Sequence, residues 1–87
     1  MKNVIKSIIK KIKKGTFFDS HYIIDTLIKE HSNDYFDFIR NTAGTTRYVH
    51  GKIAKLIGRC RLVKRAGDSL SYTIHYKANP CALWQRK

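Results

Sequence analysis

Proline is almost missing from this chain: Pro80 is the single one in 87 residues. With no Pro-rich or Gly/Ser-rich tract there is no linker at which a second unit could begin. The length suits one domain, residues 1–87, with one modest core. Acidic residues are scarce too. Six Asp and Glu stand against 18 Lys and Arg, a formal net charge of +12. That scarcity leaves no clustered carboxylates for hydrolytic or nuclease chemistry, and no nucleophile–base pair is visible, so no enzyme is expected. The two cysteines, Cys60 and Cys81, are too few for a disulfide framework. Reduced thiols in a cytoplasmic protein are the simplest expectation. Long apolar runs are absent. Residues 4–12 are broken by lysines and lack the continuous core of a signal peptide. Nothing approaches the ~20 apolar residues needed to span a bilayer, so no membrane insertion is expected. There is no Gly-rich phosphate loop. His50, Cys60, His75 and Cys81 lack the close pair spacing of zinc modules, so neither a metal nor a cofactor is expected. His21 and His31 suggest no chemistry either.

What is present is a foldable and strongly polarised chain. Hydrophobic residues make up 43% of it, enough for a packed core. Residues 1–14 carry +6, residues 15–40 carry −3, and residues 41–87 carry +9. Segregation of this kind favours a polyanionic partner, and nucleic acid above all.

Residues 2–14 read as an amphipathic helix. Val4, Ile5, Ile8, Ile9 and Ile12 fall on one stripe, with Lys6, Lys10, Lys13 and Lys14 opposite. Such a helix could lie on a membrane surface. A first core helix with solvated lysines is the better reading, because a small helical core needs that stripe. Gly15 is placed to end it. Thr16, Phe17 and Phe18 form a short β-prone run. Asp19 or Ser20 then caps a helix over 20–31, whose apolar set is Ile23, Ile24, Leu27 and Ile28. Ser32 and Asn33 break it. A short aromatic helix follows over 34–40, with Tyr35, Phe36, Phe38 and Ile39, and a turn over 41–44.

Residues 45–57 are predicted to be the central helix, capped by Thr45 or Thr46. At 100° per residue, Val49, Ile53, Leu56, Ile57 and Cys60 gather on its core side. The other side displays Arg47, Gly51, Ala54, Lys55 and Gly58, flanked by Tyr48, His50, Lys52 and Arg59. Interior glycines cost helix stability, and small exposed residues let a backbone approach a bulky surface closely. Arginine and lysine beside them reach phosphates or base edges. Two β-like runs follow, residues 61–65 and residues 70–76, joined by a turn over 66–69. Lys64 and Arg65 lie next to that turn. Residues 78–80 read as another turn, after which Leu83 and Trp84 dock a tail onto the core, the alternative being that Trp84 marks a partner surface.

This order of elements resembles the winged helix-turn-helix family of DNA-binding domains. The correspondence covers nearly the whole chain: a first helix, the small strand at 16–18, the helix at 20–31, the helix from Arg47 to Ile57, and a two-stranded wing. The stretch from Phe18 to Tyr22 and the ending from Cys81 to Trp84 are also similar to a small bacterial or phage-type family. The winged-helix resemblance implies an α+β fold, with three main helices, a short extra helix at 34–40 and a small antiparallel hairpin. It also implies a helix in the major groove of double-stranded DNA and a wing against the backbone. Carried onto this chain, the DNA-binding residues are Thr46, Arg47, His50, Gly51, Lys52, Lys55, Arg59, Lys64 and Arg65. The expected function is a small transcriptional regulator, with a homodimer or a protein partner open. The alternative is a winged-helix protein–protein interaction module in which Tyr35, Phe36 and Phe38 meet a partner.

Overall fold

The computed structural model describes residues 1–42, 46–72 and 78–87, with the side chains of 46–47, 69–72 and 78–80 left aside. The elements run α1 (Lys2–Lys10), β1 (Phe17–Asp19), α2 (Ser20–Glu30), α3 (Ser32–Thr42), α4 (Thr46–Gly58), β2 (Val63–Tyr72) and β3 (Ala78–Arg86). The four helices pack with a three-stranded antiparallel sheet of order β1-β3-β2.

α1 buries Ile5, Ile8 and Ile9, so its apolar stripe is used up in the core. It ends at Lys10, earlier than the periodicity predicts, and Lys11 rather than Gly15 forms the cap. The end tightens into i→i+3 bonds, with the Lys11 N–H donating to the Ile8 carbonyl at 3.1 Å and the Ile12 N–H to the Ile9 carbonyl at 3.0 Å. The Ile9 carbonyl also accepts from the Arg86 guanidinium, whose Nε lies 3.2 Å away. Gly15 serves the sheet: at φ +88° its N–H donates to the Arg86 carbonyl at 2.7 Å. Arg86 is 9% exposed, and its cation sits at the negative end of the α1 dipole.

β1 brings Phe18 beside Trp84 and leaves Phe17 exposed. Asp19 caps α2, its Oδ1 accepting from the Tyr22 N–H at 2.8 Å. Ile23, Ile24 and Leu27 are buried, and Lys29 pairs with Asp25 on the wet side. The chain breaks only at His31, so Ser32 and Asn33 belong to α3, which is longer than the 34–40 segment expected. α4 occupies the predicted place and buries Val49, Ile53 and Ile57 completely.

The hairpin differs most from expectation. Residues 66–69 are not its turn. Gly67 keeps the positive φ (+126°) that suggested one, but uses it in a bulge inside β2, where the register shifts between Arg65 and Gly67. The connection between the strands falls within 73–77, outside the described residues, as does the distal part of the strand expected over 70–76. Residues 78–86 are β3, the central strand, rather than a turn and a docked tail. Pro80 lies opposite Leu70, beyond the Leu83–Gln85 stretch where β1 pairs, so β3 there has a partner on one side only. A missing ladder donor is tolerated at such a position. The docking of Trp84 itself holds: it is 7% exposed, and Nε1 donates to Ser20 Oγ at 3.0 Å.

Candidate nucleic-acid interface

α4 carries no acid, and its inward face is closed by Val49, Ile53 and Ile57. Its outward face centres on Gly51. A Cβ built there meets nothing within 4 Å, so no internal packing demands glycine at this position. Lys52, Lys55 and Arg59 are exposed around it. Lys52 Nζ lies 5.2 Å from the centre of the Tyr48 ring, which braces one cation against the helix. Thr46 and Arg47 open α4, and their side chains are outside the described set.

Two residues on this helix answer to the interior instead. Gly58, expected on the open face, faces Trp84: an added Cβ would lie 3.1 Å from the indole Cη2. Here glycine permits close contact of helix and sheet. His50 is half-buried, with its Nε2 2.8 Å from the Tyr35 hydroxyl of α3. Burial pushes the Tyr35 phenol up, so it stays protonated and can donate to an unprotonated Nε2. His50 thus ties α3 to α4, a role that helical spacing on α4 alone could not reveal.

The hairpin pair behaves unequally. Lys64 and Arg65 are exposed near the start of β2, at the base of the ribbon and not beside its turn, because the turn lies further out. Arg65 stacks over Trp84 at 5.5 Å and bonds the Gly67 carbonyl at 2.9 Å and Asp68 Oδ1 at 2.6 Å. It therefore neutralises Asp68, the one acid in residues 41–87. Lys64 is exposed at the base of β2 without an acidic partner among the described residues.

Of the other five acids, Asp19 caps α2, and Asp25, Glu30, Asp34 and Asp37 are exposed on α2 and α3, two of them paired with Lys29 and Arg40 on their own helices. The described α4 face and the acidic face are therefore carried by different elements. Of the aromatic set on α3, Tyr35 is buried, Phe38 is half-buried, and Phe36 is 54% exposed. Cys60 and Cys81 form no disulfide. Among the described residues no three His, Cys, Asp or Glu side chains are grouped to hold a metal, and no helix is long and apolar enough to cross a membrane. Compared with known proteins, the chain matches no family model, no curated protein and no solved structure.

Proposed function

We propose that this protein is a small DNA-binding regulator of the winged helix-turn-helix type. In this reading α4 enters the major groove and the β2–β3 ribbon lies against the phosphate backbone. The observation that carries it is the outward face of α4: an open glycine flanked by Lys52 and Lys55, with Arg59 just past the helix end, on a helix without an acid. A helix of this width fits the major groove, and the missing side chain at Gly51 lets its backbone come close. Lys52, Lys55 and Arg59 supply phosphate contacts, which position the helix. Arg47, at the helix start, is the candidate for reading bases.

The order of elements supports the same reading. α3 ends at Thr42 and α4 begins at Thr46, so residues 43–45 join them, and Gly44 lies among these. Helix-turn-helix pairs use such a three- to four-residue turn. α3 thus takes the place of the first helix of the motif rather than that of an insertion. The hairpin follows α4 directly, and β1 completes its sheet.

Anisotropy titrations with duplexes selected from a random pool, run over a salt series, test this. Binding is expected to weaken steeply with salt. Lys52→Ala and Lys55→Ala should each reduce the log–log salt slope by about one. Slopes unchanged from the parent protein in both variants would remove α4 from the interface.

A second reading, a protein-interaction module, is favoured by Phe36 and Tyr48, which are 54% and 51% exposed on α3 and α4. Its mark is a stoichiometric protein partner retained by a chain that ignores duplex DNA.

A further inference from the structure

Beside the outward face of α4, and sharing its Arg59, four cationic residues line a concave space. Lys2 and Lys6 of α1 and Arg59 and Arg61 of the α4–β2 connection line a cleft of about 310 Å³. Its apolar floor is Leu56 and Leu62, both packed against the core. All four cations are exposed, and none pairs with an acidic side chain among the described residues. The walls are fixed. Ile5 and Ile9 pin α1 in the core. The connection is held by Cys60 N–H to the Ile57 carbonyl at 3.0 Å and by Lys87 N–H to the Leu62 carbonyl at 2.8 Å.

Lysines that serve only solubility spread over a convex surface. These four instead line one cleft, where their fields add and an anion relieves their mutual repulsion. The volume is at the small end of ligand clefts, which run from ~300 Å³ upward, and it exceeds what one inorganic phosphate fills. The two leucines offer a surface for an apolar or planar group. We propose that this cleft binds a small organic phosphate, with its phosphates on Lys2, Lys6, Arg59 and Arg61 and its organic part against Leu56 and Leu62. The site shares Arg59 with the DNA reading but does not rest on it.

ATP serves as the probe, titrated into the full chain by calorimetry and followed by amide chemical shifts. Lys2→Gln/Lys6→Gln removes two cleft charges. Lys10→Gln/Lys14→Gln removes two exposed lysines that do not line the cleft. Saturable binding is expected, with shifts concentrated at residues 2–6 and 59–62. The cleft variant should lose about ten-fold in affinity while the control stays within about two-fold. Equal losses, shifts centred elsewhere, or no saturable binding by the parent protein overturn the proposal. It is equally overturned if ATP does not bind and the cleft variant alone loses duplex affinity, since the cleft would then grip backbone phosphate. A protein that binds ATP there but no duplex would leave this site standing and sink the DNA reading.

Discussion

Gly51 and Gly58 lie two turns apart on α4 and look alike in the sequence, yet they answer to different surroundings. Gly51 has open space where a Cβ would go, and Gly58 has the Trp84 ring at 3.1 Å. Alanine in an open helical site gains roughly 1 kcal/mol over glycine. Gly51→Ala should therefore raise the urea midpoint. Gly58→Ala should show little of that gain or a loss, because the indole must shift to admit the methyl. Ser20 gives a second case. Its hydroxyl receives the buried Trp84 N–H, and Ser20→Ala leaves that donor without its partner. The expected cost is about 1–3 kcal/mol, read as a lower midpoint with an unchanged denaturant slope. Neither role was visible at the sequence level. The partners of Ser20 and Gly58 come from the far end of the chain, and nothing local marks them. His50 illustrates the same limit, since its partner Tyr35 belongs to another helix.

The elements were legible to the extent that one physical period governed them. α2 and α4 announce themselves through apolar residues at helical spacing, and their buried sets are close to those expected. β3 did not. Its inward positions are Ala82, Trp84 and Arg86, so the alternation is hidden by a small residue and a charge. Arg86 is accommodated inward because its guanidinium donates to the Ile9 carbonyl at the end of α1 and to the Lys87 carbonyl. The turn expected over 66–69 failed for a related reason: positive φ at Gly67 suits a bulge as well as a hairpin turn. α1 carries the prediction at this scale. Ile5, Ile8 and Ile9 lie in the shared core, so a chain lacking residues 1–14 should lose its cooperative thermal transition. A truncated chain that melts as sharply as the parent would show that α1 is peripheral.

Across the whole molecule, charge and shape divide the work. Four of the six acids sit on α2 and α3, largely paired or solvated there, and Arg65 neutralises Asp68. The outward face of α4 is left basic around a gap where a side chain is missing. The segregation of charge was readable from the sequence. The length of α3 was not, because Ser32 and Asn33 look like a break rather than the start of a longer helix. The proposed function rests on close approach at Gly51, which a charge-neutral change tests directly. Gly51→Leu keeps every cation, improves helix propensity by about 0.8 kcal/mol, and places a side chain in the gap. The decisive measurement is the affinity of Gly51→Leu for a selected duplex at fixed salt, beside its thermal midpoint. A loss of about ten-fold or more with an unchanged or higher midpoint is predicted. Undiminished duplex affinity in the folded variant would contradict groove entry by α4.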